Sequence, residues 1–320
     1  MNARELIHAW ARQGRVADVA AALRTAGVTP DAADWRVLLD RLLLWSGALA
    51  LAAAVVFFVA HNWSALGRFA KLGAVELLLA TAALGYWKLG PERAAGKASL
   101  LVAALLVGAL LALVGQTYQT GADTWELFAT WAAFIVPWVL VGRYAALWLL
   151  WLAIANVAIV LYFTVFPGLF GALFAAEDQL WTLFAFNTAA LVVWELASRR
   201  YAWLSARWAP RVIAIASGAC ITFLALHATF SWPEAGVGAA FFYPVWIASA
   251  YAAYRLHSRD LLLLAALCAS AIVVVTGLLS RTLFEGRFEA GALLAIALAV
   301  IAMATAAAWW LKGLAREHGA

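Results

Sequence analysis

The stretch ASLLVAALLVGALLALVG, residues 98–115, decides the fold. It contains no charge, and as an α-helix rising 1.5 Å per residue it reaches about 27 Å, close to the ~30 Å hydrocarbon core of a bilayer. The run is continuous rather than alternating, so it reads as a helix and not as a barrel strand; in lipid the backbone must satisfy itself within the segment. Lys88, Arg93 and Lys97 precede it, whereas residues 116–123 after it hold no Lys or Arg. That asymmetry sets the Lys97 end on the cytoplasmic side.

Working outward, ten such spans follow one another: 42–60, 69–88, 98–115, 124–141, 145–163, 179–197, 211–229, 238–254, 260–279 and 289–311. With the N-terminus inside, eighteen of the 22 Lys and Arg residues fall on inward segments, and only Arg68, Lys71, Arg281 and Arg287 fall outside. Merging or splitting any one span destroys this bias, so both termini are read as cytoplasmic. The expected fold is all-α: a polytopic helical membrane bundle of about ten spans, N-in and C-in. Its parts are a cytoplasmic helical region (1–41), a transmembrane domain (42–311) and a cytoplasmic tail (312–320). Ten spans also permit a five-plus-five inverted repeat, but the halves show no convincing sequence match.

Composition agrees. The chain has 320 residues, 67% hydrophobic and 12% charged, against roughly 25% charged in a soluble domain. Its 18 Trp fit residues that gather where lipid meets water. The net charge of +5 reads as the cytoplasmic excess of Lys and Arg, not as a nucleic-acid surface. Because the first apolar run begins at Leu42, it reads as a membrane anchor rather than a cleaved leader, and the stretch before it is expected to stay in the cytoplasm.

Residues 1–41 read as short helices, with Gly14 and Gly27 as stops and Thr29-Pro30-Asp31 as the start of a helix that runs into the first span, Thr29 supplying the cap. The segment 163–179, punctuated by Pro167, Gly168 and Gly171, reads as an interfacial helix or a re-entrant loop on the outer side.

Three polar features stand out, all toward the outer side. Glu76 lies seven residues into the second span, where an ionisable group costs about 2.5 kcal/mol or more and usually faces the bundle interior or a cavity. It is either a proton, cation or substrate site, or a hydrogen-bonded residue that orients helices. His61-Asn62-Trp63 closes the first span, as a helix-end cap or as part of a polar layer above Glu76. The connector Gly115-Gln-Thr-Tyr-Gln-Thr-Gly-Ala-Asp-Thr-Trp-Glu126 joins the third and fourth spans. There Asp123 or Thr124 caps the fourth helix, with Glu126 in its first turn, or Gln116, Gln119 and Asp123 line a vestibule with His61 and Glu76.

The remaining polar residues read as structural. Glu195 is spaced for an i, i+4 ion pair with Arg199. Asn156 and Asn187 read as interhelical hydrogen-bond formers. His227 reads as interfacial, and Pro137 and Pro244 as kinks. Cys220 and Cys268 lie within spans and suggest neither a disulfide nor a zinc site. HExxH, GxSxG and CxxC motifs are absent. Gly90-Pro-Glu-Arg-Ala-Ala-Gly-Lys97 mimics a phosphate loop but has the wrong spacing and no Ser or Thr after the Lys. No cofactor, metal or enzymatic activity is expected.

Ala60-His-Asn-Trp-Ser through Arg68-Phe-Ala-Lys-Leu-Gly, followed by the Gln-rich connector, resembles a bacterial family of predicted membrane proteins, domain of unknown function 2157. The resemblance covers the first half of the chain. It implies a cytosolic helical region before a first span that ends in an Asn-Trp turn, and it carries no activity. It also implies a second membrane protein, bearing a GDYxxLxY signature, as a possible partner on a separate chain. The expected function is transporter-like or channel-like, with an outward polar cluster of His61, Asn62, Glu76, Gln116, Gln119 and Asp123. The alternative is a non-catalytic scaffold that binds another membrane protein.

Overall fold

The computed structural model describes residues 3–61, 67–166, 177–231, 237–284 and 290–319, and all twelve of its α-helices lie there. The chain forms two compact units, residues 1–165 and 166–320.

The first unit begins with α1 (Ala3–Arg12) and α2 (Val19–Thr25), which pack on each other and bury Ile7 and Leu23. Gly14 and Gly27 sit at positive φ, +71° and +66°, a conformation that stops a helix at no steric cost to glycine. Next, α3 (Ala32–His61) passes unbroken from the polar N-terminal region into the first span. Its cap is Asp31, not Thr29. The Asp31 carboxylate accepts from the backbone N–H groups of Ala33 and Asp34, each at 2.8 Å, and its own N–H donates to Asp34 at 3.0 Å. One carboxylate oxygen thus satisfies two of the helix's orphan donors, which explains why it displaces the hydroxyl as cap.

The other membrane helices of this unit are α4 (Arg68–Leu89), α5 (Ala94–Tyr118), α6 (Thr124–Gly142) and α7 (Ala145–Val165). The stretch that decided the fold lies in α5, which is the hub: it packs on α3, α4 and α6, and α6 in turn packs on α7. The core is Leu100, Leu101, Ala104, Val107, Ile135 and Leu147. Cross-helix bonds come from aromatic side chains. Trp131 Nε1 donates to the Ala104 carbonyl at 2.8 Å, Trp151 Nε1 to Ala132 at 3.1 Å, and the Tyr144 hydroxyl to Lys97 at 2.8 Å. Burial, with Tyr86 nearby, pushes the Tyr144 phenol well above its ordinary pKa. Two glycines allow the close approaches. A Cβ on Gly108 would stand 2.5 Å from the Trp131 ring, and one on Gly96 only 2.1 Å from the Gly90 carbonyl oxygen. The phosphate-loop mimic is therefore a tight backbone turn.

The second unit holds α8 (Glu177–Ser198), α9 (Trp208–Ser231), α10 (Val237–Ala252), α11 (Leu261–Leu283) and α12 (Ala290–Gly319). A 3-10 turn (Ala202–Leu204) precedes α9, and a π-helical turn (Ala253–His257) extends α10. Here α9 is the hub, packing on α8, α10 and α11, while α12 lies on α11. Three of its cross-helix bonds are hydroxyl to hydroxyl, Thr188 with Ser217 at 2.7 Å, Thr222 with Ser270 at 2.7 Å and Tyr243 with Ser270 at 3.0 Å, and Arg281 of α11 donates to the Thr229 carbonyl of α9. Asn156 and Asn187 donate to carbonyls four residues back in their own helices, at 2.7 and 2.8 Å. Both α6 and α10 continue through their prolines.

Each expected span coincides with one of the helices α3 to α12, the eighth ending in the π-helical turn, the ninth starting at the cap Asp260, and the tenth followed by α12 from residue 290 onward within the described residues. Among the described residues, nine helices (α4 to α12) are long and apolar enough to cross a membrane, and α3 carries the tenth apolar run. The molecule is a helical, multi-pass membrane protein. Most of the segment read as interfacial or re-entrant, residues 167–176, lies outside the described residues.

Candidate functional site

The outer connector of the first unit is built by two helix ends. Gln119 closes α5 in the left-handed conformation (φ +45°), its N–H donating back to the Gly115 carbonyl. Gly121 follows at φ +68°. Asp123 then caps α6, and its backbone N–H donates to the Glu126 carboxylate at 3.1 Å, the return arm of a capping box. The expected capping role of Asp123, with Glu126 in the first turn, is what the connector shows.

Between the two helix ends lies an open cleft of about 800 Å³. Its polar lining is Gln116, Thr120, Asp123, Thr124, Glu126 and Thr130, and its apolar wall includes Leu111, Val114, Trp125 and Leu127. Leu111 is seven residues before the end of α5, so the cleft reaches about 10 Å down from that helix end. Among the described lining residues there is no Lys, Arg or His. Such a lining offers carboxylate, amide and hydroxyl oxygens, a donor set that suits a cation or a hydrogen-bonding solute.

The six candidate residues are placed as follows. Gln116 and Asp123 share the cleft. Gln119 forms the connector between them, exposed and outside the lining. Glu76 lies on α4 beside buried Val75, but its own side chain is uncovered by protein and is not part of the cleft. His61 is the last residue of α3; its side chain and Asn62 lie outside the described residues. On α4 the buried ionisable group is Lys71, only 7% exposed, one turn before Val75 on the face that meets α5. Its burial was not legible in sequence, because α4 is apolar on every side and no stripe marks the face that packs.

The second unit holds a different constellation, at the end that the charge pattern sets inside. Arg207 Nη1 donates to both oxygens of Glu195, at 3.2 and 3.0 Å. Arg211 Nε donates to Asp260 Oδ2 at 2.9 Å, and Arg207 Nε lies 3.7 Å from the same oxygen. The Asp260 side chain is 2% exposed and also caps α11, accepting from the N–H groups of Leu262 and Leu263. The Tyr254 hydroxyl, in the π-helical turn, donates to Glu195. Glu195 thus pairs with Arg207, twelve residues on, rather than forming the expected ion pair with Arg199: the chain folds back through the 3-10 turn and brings a guanidinium over the helix end. At the opposite end of this unit, His227 Nδ1 lies 2.7 Å from Glu177. His227 therefore bridges α9 to α8. In sequence the inner cluster left two traces, the ion-pairing acid Glu195 and an acid, Asp260, standing immediately before an apolar run.

Residues 8–148 match the family of predicted membrane proteins DUF2157. The DUF2157 match runs from the middle of α1 into the first turn of α7, so it contains the whole α5–α6 cleft and none of the second unit. The resemblance read from the Asn-Trp turn and the Gln-rich connector holds over this stretch. No curated protein and no solved structure matches the chain.

Proposed function

We propose that the protein is a non-enzymatic solute- or ion-handling protein of a bacterial cytoplasmic membrane, with its outer entrance at the α5–α6 cleft. The observation that carries this reading is the cleft itself. It is open, reaches about two turns down from the end of α5, and is lined by oxygen-bearing side chains with no base among the described lining residues. Gln116 and Asp123 are its proposed contacts. Glu76 and Gln119 lie outside the cleft lining and are not among its proposed contacts.

The test is aqueous accessibility in intact cells. Cys220 and Cys268 are replaced, single cysteines are placed at positions 61, 76, 116, 119 and 123, and a membrane-impermeant maleimide is applied. Labelling at 116 and 123 supports a water-filled entrance, and those positions should then be protected by a transported or bound solute. Labelling at 61 alone overturns the reading.

A second reading, a scaffold for another membrane protein, draws on α12. Apart from Leu314 its described side chains stay largely uncovered, with Leu293, Leu294, Leu298, Ile301 and Trp309 all exposed. Recovery of a stoichiometric membrane-protein partner in mild detergent favours it.

A further inference from the structure

The inner end of the second unit carries more positive charge than its own carboxylates can use. The inward segments between Glu195 and Asp260 contain Arg199, Arg200, Arg207, Arg211, Arg255 and Arg259, and no acids besides those two. Both acids are already committed: Glu195 to Arg207, and Asp260 to Arg211 and Arg207. These pairs also fix the surface. Arg207 ties the end of α8 to the start of α11, while Arg211 anchors α9 to the same carboxylate. Three helix ends are therefore held together by groups 12 and 49 residues apart in sequence. Arg199, Arg200 and Arg259 remain exposed at this end. Beside them, Tyr201, Trp208 and Leu256 are 50%, 48% and 74% exposed. Aromatic rings next to arginines at a span terminus occupy the depth of lipid headgroups, and arginine pairs well with phosphate oxygens there.

We propose that this arginine platform is a binding surface for the headgroups of acidic phospholipids in the inner leaflet. The inward ion pairs do not bind the lipid; they set the platform and remove its own competing carboxylates. Arg199, Arg200 and Arg259 contact the phosphate, while Tyr201 and Trp208 seat the glycerol and upper acyl region. Each basic residue near an anionic surface contributes about a fivefold gain in affinity, so the three together account for roughly a hundredfold preference over a zwitterionic lipid.

The experiment titrates the purified full chain, in neutral detergent, with phosphatidylglycerol or with phosphatidylcholine of matched chains, and reads bound lipid by native mass spectrometry. The wild type should retain phosphatidylglycerol well over tenfold better. Arg199→Gln, Arg200→Gln and Arg259→Gln combined should abolish that preference. The control combines Lys88→Gln, Arg93→Gln and Lys97→Gln, an equal charge removed from the inner turn of the first unit, and should leave it intact. Equal retention of the two lipids by the wild type overturns the proposal. An equal loss in the control also overturns it, because the attraction would then be that of any basic inner loop.

Discussion

The two units solve the same problem, holding apolar helices in register inside lipid, with different chemistry. In the first unit the cross-helix bonds run from indole and phenol groups to backbone carbonyls; a ring over a glycine notch occurs in both units, Trp131 over Gly108 in the first and Trp246 over Gly218 in the second. In the second, hydroxyl pairs join the helices together with Arg281, which donates to the Thr229 carbonyl, and the inner end is closed by the Glu195–Arg207–Asp260–Arg211 cluster. A ring over a glycine notch specifies one fit by shape, and salt does not weaken it. A hydroxyl pair is small and replaceable, and an ion cluster near water answers to ionic strength and pH. Shape should therefore count in both units, and charge should add to it in the second.

The strongest attack on this contrast is Gly96→Ala. Its Cβ has nowhere to go except into the Gly90 carbonyl, so α4 and α5 must separate; a loss of about 3 kcal/mol or more is expected in denaturant titration. Asp260→Ala comes next. It removes the buried acceptor shared by two arginines and the α11 cap, at a cost of about 2–3 kcal/mol, below the fully buried range because both guanidiniums are partly solvated. Thermal unfolding of the wild type at increasing salt sharpens the same point: the second unit should lose stability first, followed by a cysteine reporter in each unit. Gly108→Ala should cost about 1–3 kcal/mol by displacing Trp131, and a compensating Trp131→Phe should recover part of it.

A pH test reads the Tyr144 contact of the first unit. Because burial raises the Tyr144 phenol above its ordinary value of 10.0, the folded state keeps the proton where the unfolded chain loses it. The stabilisation is complete below about pH 10 and declines above it, by about 1 kcal/mol near pH 11. Tyr144→Phe should flatten that decline. Ser217→Ala is the smallest effect, about 0.6 kcal/mol, since Thr188 can turn to another acceptor. A loss several times larger would show that the hydroxyl ladder, and not the ionic cluster, governs the second unit.

The spans were legible because length and charge are properties of a segment, not of its neighbours. Residues 98–115 could be recognised without knowing what they touch. The cap at Asp123 was legible for the same reason, since a helix start lies within a few residues of sequence. The errors arose where a partner is distant or where two local partners compete. Asp31 replaced Thr29 because a carboxylate takes two N–H groups at once. Glu195 found Arg207 because a 3-10 turn reverses the chain, which no i, i+4 rule contains. Asn156 and Asn187 each donate to a carbonyl of their own helix, and tryptophan, tyrosine and hydroxyl residues, which had drawn no such reading, make bonds between helices. Glu76 and Lys71 show the limit most clearly. They are five residues apart on one helix, and only the packing of α4 on α5 decided which would be covered.

The unbroken course of α3 has a mechanical consequence. Its 30 residues make a rod about 45 Å long, half again the thickness of the hydrocarbon core. Roughly a third of it precedes the apolar span, on the side that the charge pattern sets inside, where Arg36, Asp40 and Arg41 lie just ahead of the first apolar turn. Within α3 there is no loop to absorb rotation. A torque applied near Asp31 is therefore transmitted along the rod to His61, and the short helices α1 and α2 sit at the driving end of that shaft.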